Sequence, residues 1–343
     1  IAVRYARKIQ DSHFNVSELI YEYKTANPSL IKAALVYLKQ NQFIEYNEIT
    51  GEINILRKAY HHMMSYGKKK DYDNILISSL SPGKPNASLN FEKEEMTVRG
   101  VKRIFLTPDN DNVVSPLNEE ITLLKNKDMK FNGTVASGGL RYIGKEFQFD
   151  YNQFLINMPT IDSIKIEVEI HDSLKTQDHH EKVALHNQIT ETSGILYVSH
   201  PKNKAGLRKY EKFPYFISDS DAVVYFDSPE LLNGAYDRSV KFLIPPFEID
   251  SLARPDLSGV GFDGTFIAGG IVSEFKEKLT VMPDRSLGFV HKIPEKGYVL
   301  YGGEGVVYNE LKLDYNGLRT NGKIDYRTTT VHSNEFIFYM DSV

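Results

Sequence analysis

Residues 311–326 read Leu311-Lys-Leu-Asp-Tyr315-Asn-Gly317-Leu-Arg-Thr-Asn-Gly322-Lys-Ile-Asp-Tyr326, and their pattern decides the fold. Leu311, Leu313 and Tyr315 alternate with Lys312 and Asp314, and Ile324 and Tyr326 flank Asp325. A period of two puts every second side chain on one face of a sheet, so the stretch predicts half-buried strands. Asn-Gly at 316–317 and at 321–322 supplies the breaks. The surrounding text, from Phe262 to Val343, has the same texture. Val299 pairs with Tyr301 and Phe336 with Phe338, and Gly, Asn-Gly or Pro-Asp interrupts roughly every 8 to 12 residues, as consecutive antiparallel strands require.

Strand text also fills 71–172. Ile75-Leu-Ile, Ala87 to Phe91, Met96 to Arg99, Arg103 to Leu106, Ile121 to Leu124, Met129 to Val135, Phe147 to Tyr151 and Phe154 to Ile156 read as strands, and Ile164, Ile166, Val168 and Ile170 alternate with charged residues. Residues 173–193 are polar and read as partly helical from Val183 to Ile189. Strands resume at Gly194–Val198, Tyr215–Ile217, Val223–Phe226 and Lys241–Ile244, where Pro245-Pro246 confines the last to an edge or an end. One echo links the halves. Phe131-Asn-Gly-Thr-Val-Ala-Ser-Gly-Gly-Leu140 matches Phe262-Asp-Gly-Thr-Phe-Ile-Ala-Gly-Gly-Ile271 at Phe, Gly, Thr and the Gly-Gly pair, as two sheet units of related design would.

Residues 1–70 are the helical part. Asn15 or Ser17 can cap a helix carrying Leu19, Ile20 and Tyr23 on one face and running to about Ala26. Pro28 fits the first turn of a second helix, with Ile31, Ala34, Leu35 and Leu38 at helical spacing. Phe43–Tyr46 and Glu52–Leu56 form strands around a turn at Asn47–Gly51, and Arg57 to about Met64 a third helix ended by Gly67. That is the outline of a winged helix. The fold class expected is α+β, predominantly antiparallel β. A winged-helix-like domain (1–70) precedes a first β unit (71–172), an aromatic-rich mixed segment (173–255) and a second β unit (256–343). The chain begins without Met and stops directly after a strand, which reads as a piece of a longer protein.

Composition narrows the chemistry. With no cysteine, disulfide frameworks, thiolate metal sites and cysteine nucleophiles are excluded together. The apolar runs at 222–226 and 242–247 are far short of a helical membrane span of about 20 residues. Net charge is −4, yet residues 1–70 carry eleven Lys/Arg against six Asp/Glu. Nucleic-acid binding is not expected even so: base readout needs Arg, Asn or Gln arrayed on the second helix, which offers mainly Lys32, Tyr37, Lys39 and Gln40, and Lys68–Lys70 read as a solvated linker.

Other candidates fare no better. Asp178, His179, His180, Glu181 and His186 have metal-ligand chemistry but no His-Glu-x-x-His spacing. Asp109-Asn-Asp-Asn112 alternates as a calcium loop does, then lacks the glycine and meets Pro116. Asp219 and Asp221 are paired acids of the kind glycoside hydrolysis uses. The glycines at 133, 138, 139, 259, 261, 264, 269 and 270 sit in β text, where turns rather than phosphates need them, and Ser258-Gly-Val-Gly261 departs from a serine elbow. Tyr210, Phe213, Tyr215, Phe216, Tyr225, Phe226 and Tyr236 can grip a sugar or peptide, but sheet core accounts for them more simply. No catalytic, cofactor-binding or metal-binding residue is therefore expected.

The phrases Asp71-Tyr-Asp-Asn-Ile75, Asn86-Ala-Ser-Leu-Asn90, Phe149-Asp-Tyr151, Gly194-Ile-Leu-Tyr-Val198, Asn203-Lys-Ala-Gly206, Ser286-Leu-Gly-Phe289 and Phe336-Ile-Phe-Tyr339-Met-Asp together resemble a segment of very large exported proteins of Bacteroidota. Within that group they are similar to the plug proteins of the type 9 secretion system translocon. The resemblance spans most of 71–343 and implies a periplasmic, non-enzymatic protein associated with the outer membrane. Its implied partner is a large outer-membrane β-barrel translocon, whose periplasmic opening it seals, with no small-molecule substrate and no cofactor. Two alternatives stay open: a β-groove carrier of lipid or another hydrophobic ligand, and a secreted carbohydrate- or peptide-binding enzyme.

Overall fold

A computed structural model describes residues 1–343 apart from 25, 68–70, 72, 74, 84, 110, 171–180, 253–256 and 258. Two compact units divide the chain: 1–74 with 202–209, and 75–201 with 210–343. Strand accounts for 45% of residues and helix for 14%, so the chain is mostly antiparallel β.

In the first unit, α1 (Ala2–Ile9) leads into β1 (His13–Asn15), then α2 (Val16–Glu22) and α3 (Pro28–Gln40), β2 (Ile44–Tyr46), β3 (Glu52–Ile55) and α4 (Arg57–Tyr66). The caps explain the starts. The Asn15 side chain accepts from Ser17 N–H while Glu18 reaches back to Asn15 N–H, a capping box that starts α2. Asn27 accepts from Ser29 N–H at 2.9 Å, and Pro28 takes the first helical position of α3. The strands order β1-β3-β2, all antiparallel. Leu19, Ile31, Leu35, Ile44, Ile53 and Ile55 form the core between sheet and helices. Two elements lie outside the expectation, α1 and β1; α1 buries Ala2, Tyr5 and Ala6, at helical spacing within only eight residues. A third correction falls on Ala34, which is exposed: the buried line of α3 is Ile31 and Leu35.

The second unit is one antiparallel ladder. It opens with the hairpin β4 (Ala87–Asn90) and β5 (Glu95–Arg99), then β6 (Ile104–Phe105), β7 (Asn112–Pro116) and β8 (Glu120–Leu123). The long strands β9 (Met129–Ser137), β10 (Leu140–Asp150) and β11 (Leu155–Ile170) follow. β5 pairs with β8, β8 with β9, and β9, β10 and β11 pair in turn. Next come β12 (Glu181–Ala184), β13 (Ile189–Tyr197), β14 (Tyr215–Ser218), β15 (Ala222–Tyr225), β16 (Val240–Ile244) and β17 (Glu248–Ile249). β13 returns beside β11 and leads through β15 and β16 to β18 (Gly261–Ala268). The chain ends with β19 (Phe275–Val281), β20 (Leu287–Lys292), β21 (Tyr298–Leu300), β22 (Gly305–Val307), β23 (Glu310–Asp314), β24 (Gly317–Tyr326) and β25 (Thr329–Ile337). The ladder continues from β18 through β19, β20, β23 and β24 to β25.

Burial follows the alternation. Leu311 and Leu313 are fully buried, and one apolar core joins residues from Val98 to Phe338. Phe266 meets Phe226, Phe275 and Phe289 at ring-centroid distances of 5.0 to 6.2 Å, packing aromatic edges against faces. The echo is structural too: β9 and β18 each end in a glycine turn, with Gly138 at φ 58° and Gly269 at φ 59°. Phe131 and Phe262 are buried at the start of the two copies, and Leu140 and Ile271 at the end.

Several strand expectations need correction. Ile75 and Ile77 anchor on the core, but their segment joins no ladder; alternation signals burial, not a hydrogen-bonded neighbour. The stretch 183–189 is not helical: β12 pairs with the end of β11, and β13 begins at Ile189. β11 is one strand of 16 residues rather than two, because Pro159 sits where the ladder shifts register between Met158 and Ile161. Asn321-Gly322 is no turn but lies inside β24, opposite the point where β25 carries one extra residue and the register slips. At β21 the buried residue is Leu300, with Val299 half exposed. Asp314 is buried beside Arg319 rather than solvated.

Candidate functional site

The β4–β5 hairpin is where the second unit departs from its own rule. Asn90 closes the turn, its side chain accepting from Glu92 N–H and Lys93 N–H, both at 3.0 Å. β5 is tied to its neighbours by Arg99–Glu120 at 3.1 Å and, just before it, Glu94–Lys125 at 2.7 Å. β4 pairs with β5 alone among the described residues, and all four of its residues are exposed. Leu89 is 55% exposed and Phe91, at the turn, 84%. Leu80, 70% exposed, is held at the other end of the hairpin by its N–H on Gly100 O and by Ser79 Oγ on Arg99 O. Leu89 and Phe91 thus stand in water on a framed strand and its turn, with Glu92, Lys93, Glu94 and Lys125 along that turn, and Leu80 stands in water at the opposite end. Apolar surface rimmed by charge is the chemistry of a protein-binding patch.

The residues singled out in the sequence do not converge. Asp178, His179 and His180 lie outside the described residues; Glu181 opens β12, and exposed His186 stacks on Tyr315 at 4.1 Å. At 109–112 the polar groups serve the backbone. Asp109 accepts from Asp111 N–H, and buried Asn112 accepts from Ser137 Oγ at 2.7 Å and donates to Thr107 Oγ1. Burial, then the charge of Asp109, raises the Asp111 carboxyl above its ordinary range. Among the described residues, no three His, Asp or Glu side chains gather as metal ligands. Asp219 receives the Ser193 hydroxyl, and Asp221 lies apart, in an open groove with Asp263, Lys276 and Lys278.

The aromatic belt splits in two. Phe216, Phe226 and Tyr236 are core. Tyr210, Phe213 and Tyr215 are half-buried on the other side of the sheet, where Tyr197 stacks on Tyr215 at 4.4 Å and Lys212 lies over the same ring. Tyr225 packs under Arg238, and both bond to Glu191.

No protein family, curated protein or solved structure matches this chain.

Sequence reasoning missed two groupings. Glu277 and Tyr298 bond the two ring nitrogens of His291 at 2.7 and 3.0 Å, with Phe275 stacked on its face, and this joins β19, β20 and β21. Nothing in the separation of 275, 291 and 298 announces it. The exposed Leu89 and Phe91 did carry a signal: an aromatic beside Glu92-Lys-Glu-Glu95, in a turn, has no sheet face to hide against.

Proposed function

We propose that the chain is a non-enzymatic interaction protein of the periplasm, which docks on a large outer-membrane β-barrel and seals the periplasmic opening of a protein-secretion channel of the type 9 kind. The exposed hairpin carries this reading: Leu89 and Phe91 present on the order of a few hundred Å² of apolar surface, the size of a monomer's largest patch, which is often functional. An edge strand beside them offers unpaired backbone, the chemistry by which one β structure adds to another. The resemblance of the phrases in 71–343 to translocon plugs points the same way, and a filled apolar core gives the stiffness a seal requires.

In the same reading the first unit is a winged-helix-like docking domain. The order helix, strand, helix, helix, strand, strand, with the first strand beside the third, supports that outline. Lys39 on α3 is engaged by Glu48 at 2.8 Å, which weakens a nucleic-acid role further.

The test is isolation of the protein from envelope membranes in mild detergent, wild type beside Phe91→Asp with Leu89→Asp. A stoichiometric outer-membrane barrel that is lost from the double variant supports the proposal. Free monomer in both preparations overturns it.

A further inference from the structure

One exposed stripe of α3 is apolar. Leu30 is 69% exposed and Tyr37 63%, and Ala33 and Ala34 between them are exposed as well. These four occupy i, i+3, i+4 and i+7, one stripe along the helix. Ile31 and Leu35 face the core of the unit, half-buried Leu38 lies at the margin, and the stripe runs beside that face, outside the core. At 100° per residue, Lys32 and Lys39 lie on the far side of α3 from it, and α3 carries no acidic residue. The stripe is therefore free of charge, flanked by Ser29, Val36 and Gln40.

Its shape suits one occupant. Bulk lies at the two ends, in Leu30 and Tyr37, and the middle is only alanine. A two-fold axis perpendicular to α3 near Ala33 and Ala34 brings a second α3 alongside in the antiparallel sense. Each Leu30 then covers the partner copy's Tyr37, while the alanines let the backbones approach. Self-complementarity of that kind is what an isologous contact demands. Antiparallel helix dipoles favour it, and no like charges are brought together. We infer that α3 is a homodimerisation helix, which docks on α3 of a second copy of this chain through Leu30, Ala33, Ala34 and Tyr37.

The stripe covers on the order of 350 Å² per copy, against the ~800 Å² per partner of a standard interface, so the dimer is weak and concentration-dependent. This inference concerns the first unit alone and stands or falls apart from the barrel-docking proposal, which rests on the β4–β5 hairpin.

The chain has no cysteine, so one introduced thiol reports the contact cleanly. In the full chain, Ala34→Cys should form a disulfide-linked dimer under mild oxidation more than about tenfold faster than Glu295→Cys, an exposed control, because the two-fold raises the effective thiol concentration. Sedimentation equilibrium of the wild type should show monomer passing to dimer between micromolar and millimolar protein. Leu30→Asp should abolish the dimer in sedimentation, and added to Ala34→Cys should reduce crosslinking to the control rate, with the helical circular dichroism unchanged. Crosslinking of Ala34→Cys no faster than the control, or a wild type that stays monomeric throughout, overturns the inference. So does a dimer that Leu30→Asp leaves intact.

Discussion

The Tyr236 hydroxyl donates to the Phe338 carbonyl at 2.6 Å, joining residues 102 positions apart. The same oxygen accepts from Leu318 N–H at 2.9 Å, and all three residues are buried. Tyr236→Phe leaves two buried backbone groups without this partner and should cost about 2–3 kcal/mol in urea unfolding. Burial pushes the Tyr236 phenol up to about 12, against the opposing effect of Leu318 N–H, and Tyr301 is likewise pushed up to about 12 by burial. A raised folded value means that stability is complete below the unfolded value of about 10 and is lost as pH climbs through the folded one. Urea midpoints should therefore fall between pH ~10 and ~12, less steeply in Tyr236→Phe.

Tyr142 presents the reverse case. It is fully buried against Phe216, ring centroids 4.9 Å apart, and its hydroxyl has no hydrogen-bond partner among the described residues. Burial raises this phenol well above its ordinary value. Removing an unpaired buried hydroxyl should leave stability unchanged or raise it by about 1 kcal/mol, so Tyr142→Phe should melt at or above the wild-type temperature.

Asp314 holds the β23–β24 hairpin at its turn. It takes Lys312 at 3.0 Å, Arg319 at 2.5 Å and Asn316 N–H at 2.8 Å, and Arg319 passes on to Glu335 of β25. Burial works against ionisation here, but the bonds from Lys312 and Asn316 and the charge of Arg319 outweigh it and hold the carboxyl below its ordinary value. A depressed folded value gives stability that is present above the unfolded value of about 3.9 and lost as pH falls through the folded one. Asp314→Asn should cost on the order of 2 kcal/mol at neutral pH and flatten the acid limb of the stability profile.

The two glycine turns are alike in φ and unlike in surroundings. A Cβ on Gly138 would lie 1.7 Å from Leu252 O, which is backbone; one on Gly269 would meet Ser239 Oγ at 2.4 Å and Met340 Cε at 2.9 Å, which can turn away. Gly269→Ala should cost about 1–2 kcal/mol, the left-handed backbone alone. Gly138→Ala should cost more than about 3 kcal/mol, because main chain must move as well. Thermal melts of the two variants should separate clearly.

What the sequence made legible was local. Asn15 and Pro28 announce helix starts because a helix start needs only its neighbours, and Leu311 and Leu313 announce a strand because alternation is read within five residues. Interactions that return from far along the chain left no such trace. The single strand β11 reads as two in the sequence because the ladder shift at Pro159 shows only when β13 lies alongside it. Asp314 looked solvated because Arg319 reaches it only after the hairpin has closed. The exposed hairpin escaped for a related reason: alternation in Ala87–Asn90 marks two faces and says nothing of whether a layer covers either one.

A single apolar interior serves both copies of the echo, and β13, β15 and β16 run between them without a seam. The resemblance of the two glycine hairpins therefore does not divide the body into separable lobes. Cut between them, each half would lose the wall its aromatics lean on, so the body should melt in one step and resist dissection into working pieces.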